Sequence, residues 1–200
     1  MAETKSLRVL IADDEAVIRM GLKTMVAGLG YQVVGTAADG DDVLEKAQTL
    51  RPDLLLLDIK MPGKDGLTVA EVLAATMPLP IIMLTAYTDQ TMIERAANAA
   101  VLGYLVKPIN EARLGPMIEV ALARFESMRA VAEEVYKLRD RLEAQEVIEA
   151  AKRILVATGL PEAEAYKRLQ MTAREKRRSM RDVAEAVIMV GQKLATQSQP

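Results

Sequence analysis

Asp13, Asp14, Asp58, Thr85 and Lys107 are three carboxylates, a hydroxyl and an amine, and each follows directly on a short apolar run. The run at 7–12 opens into Asp13-Asp14-Glu15, 54–57 into Asp58, 81–84 into Thr85, and 103–106 into Lys107-Pro108. Brought to one place, the carboxylates repel: a like pair at ~4 Å costs on the order of 4 kcal/mol at an effective dielectric of about 20, so the pocket calls for a cation. Hard oxygen donors suit Mg²⁺, which takes one or two carboxylates, waters and a substrate phosphate. Lys107 adds a fixed positive charge. A nucleophilic carboxylate beside a metal, a lysine and a hydroxyl makes a phosphoryl-transfer site, where positioning and charge neutralisation carry the reaction. Singly each piece has a plainer reading: Asp13 or Asp14 as a helix cap, Thr85 as a strand-end hydroxyl, Lys107-Pro108 as a turn. Their conjunction favours chemistry.

The elements that must position these residues are legible as five βα units. Strand-length apolar runs fall at 7–12, 31–37, 54–57, 81–84 and 103–106. Helix-period segments fall at 16–29, 42–50, 67–77 and 91–100, with one more opening near Asn110. Continuous apolar strands alternating with helices predict a parallel sheet covered on both faces, and such sheets place function at the carboxyl ends of their strands.

The rest of the composition narrows the chemistry. The 200 residues hold no histidine, cysteine or tryptophan, which excludes Ser-His-Asp and Cys-His catalysis, thiol redox sites and the usual zinc cages. Disulfides are excluded too, in keeping with a reducing compartment. No stretch approaches the ~18 uncharged apolar residues of a membrane span, so the chain reads as cytoplasmic, with no membrane partner. Residues 1–115 carry 11 basic and 15 acidic side chains, whereas residues 150–200 carry 10 basic and 5 acidic. An acidic front and a basic tail predict separate jobs.

The second half has no strand-like run. Residues 116–158 are rich in Ala, Leu, Glu, Lys and Arg, and predict one long helix. Phe125, Met128, Ala132, Val135 and Leu142 recur there at coiled-coil spacing, with Arg139 breaking the seam, and predict a homodimer; an amphipathic helix packed on its own domain is the alternative. Thr158-Gly159-Leu160-Pro161 stops the helix. Helices are expected at 161–174 and, capped by Ser179, at 180–195, with a frayed polar tail at 196–200.

The motifs RVLIADDE, LLLLDIKMPGKDG, IIMLTA and GYLVKP, at their spacing over residues 7–122, resemble the receiver domains of two-component response regulators. The resemblance implies a flavodoxin-like α/β fold of (βα)5 type with strand order 2-1-3-4-5. It implies that Asp58 accepts a phosphoryl group, that Asp14, Asp58 and the Lys60 carbonyl hold Mg²⁺, and that Asp13 assists through water. It also implies that Thr85 and Lys107 grip the phosphoryl oxygens, that the Lys107-Pro108 peptide is cis, and that Tyr104 is a switch aromatic moving with Thr85. A haloacid-dehalogenase-like phosphatase would need a second Asp two residues after Asp58, where Lys60 stands. A chain without histidine must receive its phosphoryl group from a separate sensor histidine kinase or from a small acyl phosphate.

The segment from Val147 to Ile188 resembles the ANTAR domain of AmiR- and NasR-type antiterminators. Ala151, Lys152, Leu155, Glu164, Ala165, Leu169, Met180, Val183 and Ala184 match its pattern, mostly as packing residues. The resemblance implies a small three-helix, all-α domain that binds paired RNA hairpins and prevents a terminator from forming. Tyr166 is expected to stack on a loop base, and Lys152, Lys167, Arg174, Arg177 and Arg178 to contact phosphates. A helix-turn-helix that reads DNA is the alternative, and a protein-binding output a third. The expected division is a receiver at 1–122, a coiled-coil linker at 123–137 and the RNA-binding domain at 138–195, in a regulator rather than an enzyme, dimerising on activation.

Overall fold

Strands that are apolar at every position cannot present one face to water, and the chain covers both. The computed structural model describes residues 6–86 and 101–197. Five strands, β1 (Arg8–Ala12), β2 (Gln32–Ala37), β3 (Leu54–Asp58), β4 (Ile81–Thr85) and β5 (Val101–Val106), form one sheet in the order β2-β1-β3-β4-β5. Every pairing is parallel. This is the flavodoxin-like order expected from the sequence. Helices α1 (Ala16–Gly28), α2 (Gly40–Leu50) and α3 (Gly66–Thr76) join the first four strands. The helix expected at 91–100 lies outside the described residues.

Alternation along the strands builds two cores. Leu10, Leu55, Leu57, Ile81 and Met83 face Val43 and Ala47 of α2 and Leu67, Ala70 and Leu73 of α3. The intervening Val9, Ile11, Leu54, Leu56, Ile82 and Leu84 face Leu22 and Val26 of α1 and Leu114, Ile118 and Ala121. All of these side chains are buried, and each large one contributes roughly 1.5–3 kcal/mol by leaving water.

The helix opening near Asn110 and the long helix expected at 116–158 are one element, α4 (Glu111–Ala157). Asn110 caps it, its Oδ1 accepting from the Arg113 N–H at 3.0 Å. Pro116 sits early in the helix, where the missing N–H removes a single bond. Helix α5 (Glu162–Lys176) and helix α6 (Met180–Gln197) follow. Ser179 caps α6 as expected: its Oγ accepts from the Asp182 N–H at 3.0 Å, and Asp182 Oδ2 accepts from the Ser179 N–H at 3.2 Å, a reciprocal capping box. Because α6 runs to Gln197, the first two residues of the expected tail are helical.

The chain divides into two compact units, Met1–Arg129 and Ala130–Pro200. The second has its own small core of Ala151, Leu169, Ala173, Val183 and Ala184, flanked by Val147, Ile148, Leu155, Val187 and Ile188. Of the residues matched to the second resemblance, Ala165 is also fully buried, and Met180 packs at the edge of that core. No helix among the described residues is long and apolar enough to cross a membrane.

Candidate functional site

Because β1, β3, β4 and β5 are parallel neighbours, their carboxyl ends lie at one edge of the sheet, and the polar residues that follow them meet there. Asp13 is fully buried and Asp58 nearly so, while Asp14 is exposed. One carboxylate oxygen from each lies within 4.8 Å of the others. Lys107 Nζ reaches in from the end of β5, 2.7 Å from Asp13 Oδ2 and 3.0 Å from Asp58 Oδ1. Thr85 closes β4 beside it, its carbonyl accepting from the Lys107 N–H at 2.8 Å. The Lys107-Pro108 peptide is cis. Lys60 is exposed and, with Asp14, Ile59, Met61, Pro62 and Asp65, lines a cleft of about 390 Å³. Tyr104, on β5 opposite Met83, is half-buried against the α2–α3 core.

The backbone around the acidic pair is tied down. Asp13 donates its N–H to Ala37 O at 3.2 Å, and its Oδ1 accepts from the Glu15 N–H at 2.9 Å. Glu15 is the N-cap residue of α1 and makes no side-chain cap bond, so neither Asp13 nor Asp14 is spent on capping that helix. Two positioning residues escaped the sequence reading. Arg19 Nη1 donates to the carbonyls of Asp13 at 2.5 Å and Asp14 at 2.9 Å; its signal was an arginine one turn into the helix after Asp-Asp-Glu. Gly66 donates its N–H to Ile59 O at 2.9 Å, and a Cβ there would lie 2.1 Å from the Asp58 carbonyl oxygen. Only the absence of a side chain lets α3 start against the end of β3.

The electrostatics follow from burial. Burial is the largest influence on Asp58 and raises its pKa, Lys107 pulls it down, and Asp13 and Asp14 push it up further; the net result is a raised value. For Lys107, burial opposes the charge, but Asp13 and Asp58 outweigh it and hold the pKa above the ordinary lysine value. Burial also raises the Tyr104 phenol. Asp13 Oδ2 is buried 2.7 Å from the Lys107 ammonium and accepts from no other donor among the described residues. One ammonium cannot balance three carboxylates, and hard oxygen donors, one of them buried with a single shared cation, fit a divalent cation such as Mg²⁺.

In the second unit, Tyr166, Lys167, Arg174, Arg177 and Arg178 are all exposed. Lys167 and Arg174 lie seven residues apart on α5 and so share a face. Among the described residues, no carboxylate pairs with Lys167, Arg174, Arg177 or Arg178. Lys152 differs: its Nζ lies 2.8 Å from Glu149 Oε2 and 3.2 Å from Glu162 Oε1, and those hydrogen bonds raise its pKa. Of the residues expected at the dimer seam, Met128, Ala132, Val135 and Leu142 are exposed on α4, and Phe125 packs against the core of the first unit.

Residues 9–119 match the response regulator receiver domain family, and residues 137–188 match the ANTAR domain family. Over 182 residues the chain is 42% identical to the transcriptional regulatory protein PdtaR of Mycobacterium tuberculosis, covering 90% of this chain and 89% of that protein. It is 36% identical over 108 residues to the chemotaxis protein CheY of Thermotoga maritima, covering 54% of this chain and 90% of that one. The receiver domain of a modulated diguanylate cyclase from Desulfovibrio desulfuricans superposes with a TM-score of 0.59 at 34% identity, covering 62% of this chain and 99% of that chain. The two matched domains are regulatory and RNA-binding rather than catalytic, and they agree with the acidic pocket at one end of the sequence and the basic helices at the other. The chain belongs to the response regulators that join a receiver domain to a C-terminal ANTAR output domain.

Proposed function

We propose that phosphorylation of Asp58 controls binding of the second unit to paired RNA hairpins in leader transcripts, and thereby transcription antitermination. The observation that carries the input half is Lys107 held between Asp13 and Asp58, beside an exposed third carboxylate. A receiver domain implies a histidine kinase as partner, and an ANTAR domain implies RNA. In the transfer, an Asp58 carboxylate oxygen forms a bond to phosphorus as the donor's phosphorus–nitrogen or phosphorus–oxygen bond breaks, and the donor's leaving group takes the electron pair. Lys107, already charged and aimed at Asp58, pairs with the oxygens of the arriving group, and the Thr85 hydroxyl takes another.

Asp14 and Asp58, with the Lys60 carbonyl and with Asp13 through water, would hold Mg²⁺, which when bound neutralises charge on the phosphoryl oxygens. Once Lys107 and Thr85 turn to the phosphoryl group, the half-buried Tyr104 ring repacks against β4, and the change passes along β5 to the helix that follows it, α4. Pairing of two chains through α4 then presents two basic surfaces to two hairpins, which raises effective concentration without new contacts. Tyr166 stacks on an unpaired base, and Lys167, Arg174, Arg177 and Arg178 contact phosphates. Lys152 can contribute a phosphate contact only by giving up Glu149 and Glu162.

The residue division that goes with this reading is a receiver at 1–122, a linker helix at 123–137 and an RNA-binding domain at 138–195. The test is binding of the whole chain to a paired-hairpin RNA and to duplex DNA, with and without an acyl-phosphate donor and Mg²⁺. Tighter RNA binding on phosphorylation is expected; preference for duplex DNA defeats the proposal in favour of a DNA-reading output.

A further inference from the structure

We propose that the second unit carries a binding cavity for a small amphipathic monocarboxylate, an aliphatic chain ending in one carboxylate, enclosed by the end of α4, α5 and α6. The cavity has a volume of about 580 Å³, inside the range of roughly 300–1,000 Å³ that small-molecule sites occupy. Ile154, Leu155, Val183, Val187 and Val190 supply its walls, and every one is aliphatic. Val190 is 59% exposed although it lines a concave surface, so the apolar wall is open to water on that side. A hydrocarbon chain laid against it would release that water.

The walls select the body of the ligand. Two hydroxyls line the cavity, and both are already donating to helix carbonyls: Thr158 Oγ1 to Leu155 O at 2.7 Å and Thr172 Oγ1 to Arg168 O at 2.8 Å. A peptide, sugar or base carries acceptors along its length, and in this cavity they would leave water for walls that offer no free hydroxyl donor. A methylene chain loses nothing there.

Charge selects the head. Lys176 and Arg178 complete the lining and are exposed, which puts their charged ends at the mouth. Among the described residues no carboxylate pairs with either. Asp182 also lines the cavity, but its Oδ2 is held by the Ser179 N–H at 3.2 Å in the capping box of α6. Two cations and one acid leave a surplus of a single positive charge, which matches a carboxylate rather than a doubly charged phosphate monoester. The Arg178 guanidinium can take both carboxylate oxygens at once. Arg178 is also a phosphate contact in the RNA reading above, so a carboxylate seated on it competes with RNA; that competition rests on the reading, and the cavity does not.

The test is calorimetric titration of the full chain with hexanoate, octanoate, decanoate and decylammonium. Affinity should rise about two- to fourfold with each added methylene among the carboxylates, and decylammonium should bind at least tenfold more weakly than decanoate. No chain-length dependence, or equal binding of the amine, overturns the proposal. Methyl resonances of Ile154, Val187 and Val190 should shift on adding decanoate, and shifts confined to other residues overturn the site. Ala186→Phe, at an exposed position on the lining, should block decanoate with the thermal melt retained. Because that variant can misfold, Arg178→Gln gives a second reading: it should weaken decanoate roughly three- to tenfold, whereas Arg174→Gln, off the cavity, should not. Equal effects of the two overturn the assignment of the head. Absence of decanoate binding together with a change in self-association of Ala186→Phe overturns the proposal in favour of a protein contact. With decanoate bound, the slope of log RNA affinity against log salt should shrink by roughly 0.7. An unchanged slope overturns the competition alone, and a chain that binds decanoate but no RNA overturns the RNA reading while the cavity stands.

Discussion

Replacing Arg177 by glycine should make the second unit more stable and a poorer RNA binder. Arg177 ends α5 in the left-handed region at φ 51°. The Arg178 N–H reaches Ala173 O at 3.0 Å and the Arg177 N–H reaches Arg174 O at 3.3 Å, the crossed bonds of a Schellman motif whose left-handed place usually holds glycine. Helix α4 ends on the same motif with Gly159 at φ 102°, where Leu160 donates to Leu155 O at 3.3 Å and Gly159 to Val156 O at 2.9 Å. A side chain in this conformation costs roughly 1–2 kcal/mol. Glycine gives back about 0.4–1 kcal/mol through a freer unfolded chain. The net gain is about 0.5–1 kcal/mol, or ~2–8 °C for a domain of this size. Thermal melts of the full chain measure the gain, and hydrogen exchange locates it in α5 and α6. Against hairpin RNA the variant loses a phosphate contact, so the slope of log affinity against log salt should shrink by roughly 0.7–0.9. Arg51→Gly is the control: Arg51 ends α2 at φ 48° and should gain stability in the first unit with no change in RNA binding. Lower stability of the Arg177 variant, or higher stability with an unchanged salt slope, refutes the argument.

Asp58→Asn should abolish labelling by an acyl phosphate in Mg²⁺; labelling that persists disproves the acceptor assignment. Burial raises the Asp58 pKa, so its protonated form favours the fold: this stability is present below the unfolded value, is lost as pH rises through the folded value, and leaves the ionised carboxylate a net cost at pH 7. Asp58→Asn should therefore melt higher than the parent chain without divalent ions, and a lower melting temperature contradicts that balance. Mg²⁺ at about a hundred times its dissociation constant should stabilise the parent by ~2.7 kcal/mol and the Asn variant far less, as calorimetry with and without EDTA would show. Gly66→Ala drives a methyl group into the Asp58 carbonyl and should cost about 1–3 kcal/mol with slowed phosphorylation; unchanged labelling kinetics would show that α3 does not set the position of Asp58. Lys152→Gln should weaken RNA binding less than Arg174→Gln, because its amine is already paired with two glutamates; the reverse ranking in a binding titration would place Lys152 in the interface.

The first unit was legible because its signals are redundant. The strands are mostly apolar runs, four of the five lead into a charged or hydroxyl residue, and parallel order puts those ends together whatever the loops do. The two cores follow from simple alternation: Leu55 and Leu57 face one side of the sheet, Leu54 and Leu56 the other. Arg19 and Gly66 were not legible, since each acts on backbone atoms. An arginine that holds two carbonyls and a glycine that admits a neighbouring strand leave no pattern in the spacing of polar and apolar types. The join at Asn110 was not legible because the long helix was started at Pro116, yet a proline early in a helix removes only one bond, and Leu114, Ile118 and Ala121 anchor the turns around it.

The basic tail shows what composition leaves undecided. Its arginines and lysines look alike in a sequence, but they divide according to which acids sit nearby in space. Lys152 and Arg181 are engaged by Glu149, Glu162, Asp140, Glu143 and Glu185, whereas no acid among the described residues pairs with Lys167, Arg174, Arg177 or Arg178. Proximity rather than residue type sorts them, because an ion pair is a relation between residues and not a property of any one of them.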